Sequence, residues 1–204
     1  MSVRRISLAL ILVLLAVTLC GCSAGKDQEN ASVQIAIASM YVPYELPETV
    51  DAKLREELPE LYSEGKSAVI NGISMGDSES DPETTMAGMT RMMGMMASDE
   101  VELLICDSGT AKRYADSGRS FVPVSELFTE EEITALNLKT VMVPVLDDEG
   151  NETGKMSAPC GIDLSACTLL TQALYKTDVA AYVIVDSSNL DNAKTVITYL
   201  ATAR

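Results

Sequence analysis

The sequence VELLICD, residues 101–107, is a short and nearly continuous apolar run that ends in an aspartate. Runs of this kind are typical of strands that are buried on both faces of a sheet. Comparable runs occur elsewhere in the chain: VQIAIAS at 33–39, SAVINGISM at 67–75 and AAYVIVD at 180–186. Because helical patterns separate these strands, we expect an α/β fold with an open, largely parallel sheet and helices on both faces.

Helical patterns fill most of the chain between these strands. Residues 48–62 carry leucines at helical spacing among acidic residues, and Pro59 should end or kink that helix. Thr129 followed by Glu132 is a capping-box pattern, which marks the start of another helix. The remaining helices are expected over 82–98, 108–117, 164–175 and 189–203, the last one capped by Ser187 or Ser188, whereas 122–127 reads as an extended turn.

A hairpin is expected late in the chain. Residues 139–146 and 155–162 are two strand-like runs on either side of the turn sequence DDEGN at 147–151. Acidic and glycine-containing turns between two such runs are typical of antiparallel pairs. The sequence therefore predicts a hairpin or flap inserted into the α/β domain.

The first 22 residues form a pattern of their own. Arg4 and Arg5 precede an uncharged apolar run over 6–19, and the sequence LCGC at 19–22 closes it. This pattern resembles a bacterial lipoprotein signal with its lipobox, and the run is shorter than the ~20 residues that span a bilayer. We therefore expect cleavage before Cys22 and lipid attachment to Cys22, with a retained transmembrane anchor as the alternative.

The resemblance to a lipoprotein signal implies both a location and a domain organisation. The protein would be held on the cell membrane by the lipid on Cys22, facing the extracytoplasmic side. Residues 1–21 would be the signal peptide, and 22–32 would be the lipidated cysteine and a polar tether. Residues 33–204 are long enough for one domain of ordinary size, so we expect a single α/β domain there.

Composition excludes several classes of function. The chain has 15 Lys and Arg against 30 Asp and Glu, a formal net charge of -15, which repels the phosphates of nucleic acids. It contains no His, so Ser-His-Asp and Cys-His catalysis and His-ligated zinc are absent from its chemistry. We therefore expect a protein that is not an enzyme, needs no cofactor and binds no nucleic acid.

Three cysteines follow Cys22 in the sequence, namely Cys106, Cys160 and Cys167. An odd number of thiols leaves at least one without a partner in the chain. Cys160 and Cys167 are close enough in sequence for a small disulfide loop, and a reduced, buried state is the equal alternative.

The order of the segments resembles the first lobe of extracellular solute-binding proteins, the lipoprotein receptors of ABC importers. The residues that carry the resemblance are VQIAIAS, LREELPEL at 54–61, SAVINGISM, VELLICD, VPVSEL at 122–127, KMSAP at 155–159 and the stretch 180–200. A second lobe would need far more chain than lies between Cys167 and Ala180. The resemblance implies a single, truncated lobe that binds a small polar solute and works beside an ABC permease or another membrane protein.

Ligands of open α/β sheets bind where the strands end, which selects a set of candidate residues. Tyr41 and Tyr44 could stack on a ring or a sugar, with a role as packing lids as the alternative. Asp107 and Ser108 could hold a polar ligand, with capping of the helix that follows as the alternative. The full set of candidates is Ser39, Tyr41, Tyr44, Ser74, Asp107, Ser108, Thr110 and Asp163.

Methionines are concentrated in the helix predicted over 82–98. Met86, Met89, Met93 and Met96 share one face at helical spacing, which indicates a core-facing stripe. Met92 and Met95 lie off that stripe and would be core only if the helix is covered on both sides. Thioethers also bind Cu(I), so the stripe is an alternative metal site, and an adaptable contact surface for a protein partner is a third reading.

The functional expectation combines the signal with the resemblance. It is a membrane-anchored, extracytoplasmic lipoprotein whose solute-binding-protein-like domain binds a small polar ligand or a membrane-protein partner. The alternative from another class is a structural or assembly lipoprotein without a small ligand. Cu(I) binding through the methionine stripe is a further alternative.

Overall fold

A computed structural model of the chain describes residues 30–147 and 149–203, and the expected signal peptide, Cys22 and most of the tether lie outside these residues. The described residues form eight strands and seven α-helices. The strands are β1 (Ala31–Ser39), β2 (Ser67–Ser74), β3 (Leu103–Asp107), β4 (Thr140–Val141), β5 (Pro144–Leu146), β6 (Glu152–Met156), β7 (Gly161–Asp163) and β8 (Val179–Val183). The helices are α1 (Leu46–Glu57), α2 (Pro82–Ala97), α3 (Ser108–Tyr114), α4 (Val124–Leu127), α5 (Glu130–Ala135), α6 (Thr168–Leu174) and α7 (Leu190–Thr202). Strands and α-helices alternate up to β3, three helices follow it, and β4 to β7 come in direct succession.

Six of the strands form one open sheet in the order β2-β1-β3-β8-β7-β4. The strand pairs β1–β2 and β1–β3 are parallel. The pairs β3–β8, β7–β8 and β4–β7 are antiparallel. The α/β architecture predicted from the sequence is therefore confirmed, and the sheet is mixed, with a parallel half built from the first three strands and an antiparallel half beyond them.

Helices cover both faces of this sheet, as predicted. Leu54 of α1 and Ile197 of α7 pack on one face, where Ile35 and Leu103 also lie in a large buried cluster. Met92 of α2 and the short helix α3 cover the other face, above Leu104 and Cys106. The outermost strands of the sheet are β2 and β4. Because helices cover both faces of the sheet, its central strands are buried on both sides. This burial explains the continuous apolar character of β1, β3 and β8.

Most predicted elements lie within a few residues of the observed ones, and local chemistry explains two of the boundaries. The helix α1 ends at Glu57, and Pro59 opens a separate 3-10 turn over Pro59–Tyr62. Thr129 caps α5 in the predicted capping box with Glu132. The extended turn predicted over 122–127 is wrong, because Val124 and Leu127 are buried by a single helical turn, α4.

The predicted hairpin divides into two parts. Its outer part is the isolated pair β5–β6, which lies outside the main sheet. Its base is the pair β4–β7, which joins the main sheet through β8. A salt bridge from Glu152 of β6 to Lys112 of α3 attaches the outer hairpin to the domain.

The methionines of α2 point in a different direction from the one predicted. Met92 and Met95 are the buried methionines, with exposed fractions of 0% and 7%, whereas Met86, Met89 and Met93 are 71%, 37% and 61% exposed. The core-facing stripe predicted from Met86, Met89 and Met93 is therefore wrong. The reason is that Gly88 lies against the backbone at the end of β2 and turns its own side of the helix inwards.

A buried carboxylate joins the start of α7 to the sheet. Glu102 is 4% exposed, and its Oε2 accepts the backbone N–H of Gln34 at 3.0 Å. Its Oε1 accepts hydrogen bonds from Ser188 Oγ at 2.9 Å and from Asn189 Nδ2 at 2.7 Å. The residue at the helix cap is Asn189, and Ser188 bonds Glu102, so the cap predicted for Ser187 or Ser188 is wrong.

Cys106, Cys160 and Cys167 are buried and free. Of the two states considered for Cys160 and Cys167, the structure has the reduced one. Burial raises the pKa of all three thiols.

Within the described part of the chain, no helix is both long enough and apolar enough to cross a membrane.

Candidate functional site

The carboxyl ends of the parallel strands bring several candidate residues to one edge of the sheet. Ser39 of β1 is in register with Ser74 of β2. Asp107 ends β3 on the other side of β1, opposite Val179, where the antiparallel strand β8 begins. The chain passes from β1 to β2 on one side and then crosses back over β1 to β3 on the other side, so a topological switch point lies between β1 and β3.

The polar side chains at this switch point form hydrogen bonds and an ion pair with groups of the protein itself. Ser39 Oγ donates to Asp107 Oδ2 at 2.9 Å, and the backbone N–H of Thr110 donates to Asp107 Oδ1 at 3.0 Å. Lys176 Nζ lies 3.9 Å from Asp107 Oδ2. Ser39, Asp107 and Thr110 are all buried. Asp107 is therefore the N-cap of α3, as the alternative reading of the sequence held.

Ser108 is exposed and is engaged by a second carboxylate. Both its backbone N–H and its hydroxyl donate to Asp178 Oδ2, which lies just before β8. The hydrogen bond from the Ser108 hydroxyl is the main reason that the pKa of Asp178 is lowered. Asp107 and Asp178 thus occupy two donors at the start of α3, so these donors are not directed at open solvent.

Asp163 lies at the same end of the sheet, but its carboxylate stabilises the turn that follows β7. The strand β7 runs parallel to β3, because both are antiparallel to β8. The carboxylate of Asp163 accepts the backbone N–H and the hydroxyl of Ser165 at 2.9 and 2.8 Å. These contacts are those of a turn that follows a strand.

The remaining candidates lie on the other side of β1. Tyr41 and Tyr44 are 61% and 87% exposed, so neither is a lid packed over the core. The hydroxyl of Ser74 accepts the backbone N–H of Val42 at 3.1 Å, which attaches the loop after β1 to the end of β2. Tyr44 and Ser74 both line an open groove beside the edge strand β2, and this groove is the candidate ligand site.

This groove, called here the β2 groove, runs along the outer edge of the sheet and has a volume of about 650 Å³. Residues 70–74 of β2 form its floor. One wall is the segment 42–48, which leads into α1, and the other wall is the side of α2 that carries Thr84, Gly88 and Arg91. Its volume is within the usual range of ligand pockets in proteins.

Arg91 is held in place inside the β2 groove. Its Nη1 donates to the carbonyl oxygen of Gly72 and its Nη2 donates to Asn71 Oδ1, both at 3.1 Å. A guanidinium has five N–H donors in a rigid plane, so these contacts leave three for other acceptors. Glu48 lines the facing wall, so the groove presents both a cation and an anion.

The backbone of β2 is a second source of polar groups in the groove. The carbonyl of Gly72 faces Arg91, so alternation along the strand directs the backbone groups of Ile70 and Gly72 away from β1. A side chain at Gly72 would press against Pro47 and Val42, with contacts of 3.0 and 3.1 Å from its Cβ. The missing side chain therefore allows the wall that contains Val42 and Pro47 to lie close against β2.

The arrangement suits recognition by hydrogen bonds and charge. A guanidinium, outward backbone groups and the exposed ring of Tyr44 converge on one open groove. Neither Arg91 nor Asn71 was a candidate from the sequence, since Arg91 lies among methionines and Asn71 lies inside a strand. The one sequence signal for them was the polar Asn71-Gly72 pair within an otherwise apolar strand.

Within the described residues, no cluster of His, Cys, Asp and Glu side chains could hold a metal ion. Comparison of the chain with protein families, with curated proteins and with solved structures finds no match.

Proposed function

We propose that this chain is a lipid-anchored, extracytoplasmic binding protein that catalyses no reaction. Its α/β domain corresponds to one lobe of a solute-binding protein, and it binds a small polar ligand or a segment of a membrane-protein partner. The observation that carries the proposal is the β2 groove, in which Arg91 is fixed by two hydrogen bonds at an open strand edge.

The chemistry of the groove supports a ligand that carries a carboxylate or another hydrogen-bond acceptor. Arg91 is pre-organised, so little side-chain entropy is lost when it donates to a ligand. Tyr44 offers an exposed aromatic face, and Ile70 and Gly72 offer backbone groups that an extended ligand could pair with. The same groups suit an amino acid, a short peptide or a partner's extended segment.

Thermal stabilisation of the full chain, purified in detergent, by a panel of amino acids, sugars and short peptides tests ligand binding. We expect a subset that carries carboxylates to raise the melting temperature. Arg91→Gln should weaken the binding of those compounds at least tenfold, because hydrogen bonds to a charged group contribute roughly 1.5–3 kcal/mol. Arg113→Gln, on α3 and outside the groove lining, is the matched control and should leave the affinity unchanged.

Two results would contradict the small-ligand proposal. One is a panel in which no compound stabilises the protein. The other is a compound whose affinity is the same for the wild type and the Arg91→Gln variant. If cross-linking in membranes then recovered a stoichiometric protein partner, the protein would instead be a structural or assembly lipoprotein.

Cys22→Ala is expected to move the protein from the membrane fraction to the soluble fraction and to abolish the incorporation of labelled fatty acid. The physical reason is that two or more acyl chains hold a protein on a bilayer stably, at about 0.8 kcal/mol per buried methylene. Cys20→Ala is the matched control, because Cys20 lies in the expected signal peptide. Continued lipid labelling of the Cys22→Ala variant would refute the site of attachment.

A further inference from the structure

The exposed methionines of α2 are not explained by packing or by the β2 groove. The buried side of the helix consists of Thr85, Gly88, Met92 and Met95. Arg91, with Thr84, faces the groove on one side of this buried surface. The side away from the groove carries Met86, Met89 and Met93, at positions i, i+3 and i+7 of the helix.

Methionine is over-represented among exposed apolar side chains in the described part of the chain. Six of the twelve large hydrophobic side chains that are exposed there are methionines, although leucine, isoleucine and valine supply most of the core. An apolar docking surface does not require sulfur, because leucine provides the same apolar area. Exposed thioethers therefore suit either an adaptable contact surface or a soft metal ion, and their spacing and surroundings bear on the choice.

The spacing brings three thioethers onto one strip of the helix surface. Successive members of the set i, i+3 and i+7 are one turn apart, with Cβ atoms about 5–6 Å from each other, and the first and last members are two turns apart, roughly 10.5 Å along the helix. Methionine has three rotatable bonds beyond its Cα atom, and Met86, Met89 and Met93 are exposed, so their sulfurs are able to converge. Met96 continues the strip, but it packs against the core.

The charge around the strip favours a cation. Arg91 is the single basic residue of α2, and its guanidinium is engaged by Asn71 and Gly72. Arg91 also borders a shallow surface pocket that Met86 lines, together with the acidic Glu83. The chain as a whole has a formal net charge of -15, which attracts cations to its surface. The ligand type then selects the ion, because thioethers are soft donors that bind Cu(I) in preference to hard divalent cations.

We infer that Met86, Met89 and Met93 form a Cu(I) site on the exposed side of α2. The three thioether sulfurs coordinate one cuprous ion, with no change in the oxidation state of the metal or of the sulfur. None of these three methionines lines the β2 groove.

Anaerobic titration of the full chain in detergent with a Cu(I)–acetonitrile complex, against a chromophoric Cu(I) chelator, tests this site. Accessible thiols are first alkylated; Cys106, Cys160 and Cys167 are buried. We expect one equivalent of Cu(I) to bind to the wild type. Changing Met86, Met89 and Met93 together to leucine should weaken that binding at least tenfold, since leucine keeps the apolar area and removes the sulfur.

The matched control is a variant with Met142→Leu and Met156→Leu, two methionines that are 46% and 51% exposed outside α2. It should bind Cu(I) like the wild type, and Met96→Leu should do so within about twofold. Thermal melting of each variant verifies that the fold is intact. The inference is overturned if the wild type binds no Cu(I), or if the triple variant and the wild type bind it equally.

Discussion

Gly88→Ala is expected to lower the free energy of unfolding by about 2 kcal/mol or more, the usual cost of inserting a group into a closely packed site. A Cβ atom at this position would overlap the carbonyl oxygen of Ser74 and would lie 3.2 Å from the Cα atom of Met75. Because both contacts are with backbone, the helix α2 has to move away from the sheet. Urea denaturation of the variant measures the loss.

Gly94→Ala is the matched control for that substitution. It changes the same residue type in the same helix, but a Cβ atom at Gly94 meets nothing within 4 Å. The alanine should therefore raise the free energy of unfolding by about 0.5–1 kcal/mol, because glycine is a poor helix former. Equal effects of the two substitutions would show that helix propensity, and not the close approach of α2 to β2, decides the outcome at Gly88.

Asp107→Ala is expected to destabilise the protein by about 3 kcal/mol, because it leaves buried donors without their acceptor. The hydroxyl of Ser39 and the backbone N–H of Thr110 both donate to this carboxylate, which is 5% exposed. Asp107→Asn should lose less, since the amide keeps one acceptor oxygen of the same shape. Denaturation midpoints of the two variants give the difference.

Asp163→Ala is the control for the loss of a strand-end carboxylate. Asp163 bonds the exposed Ser165, whose groups can turn to water, so the expected loss is about 1 kcal/mol. If Asp107→Ala cost no more than this, the carboxylate of Asp107 would not be a structural cap. It would then return as a candidate for ligand binding at the switch point.

Local patterns were sufficient for most of the helices and strands. The capping box of Thr129 and Glu132, the break at Pro59 and the buried run of β3 depend on residues close together in sequence. The segment 122–127 shows where such patterns fail. Its single helical turn is stabilised by the burial of Val124 and Leu127 against distant parts of the chain, which no local signal reveals.

The candidate site was predictable only in part. The rule that ligands bind at strand ends selected Ser74, and the exposed loop after β1 selected Tyr44, and both line the β2 groove. Arg91 was not selected, because its partners Asn71 and Gly72 are about twenty residues away along the chain. A groove between a helix and a sheet edge exists only after those elements have packed together.

The sequence by itself determined the class of the fold. Continuous apolar runs indicate strands that are buried on both faces, and helical periodicity indicates helices that bury one face. It indicated the wrong side of α2 as the one that faces the core, since six methionines within eleven residues make both sides apolar. The tertiary structure decided this through Gly88, the residue small enough for close contact with β2. It also decided the direction of β8, because strand pairing between remote segments depends on how the whole chain packs.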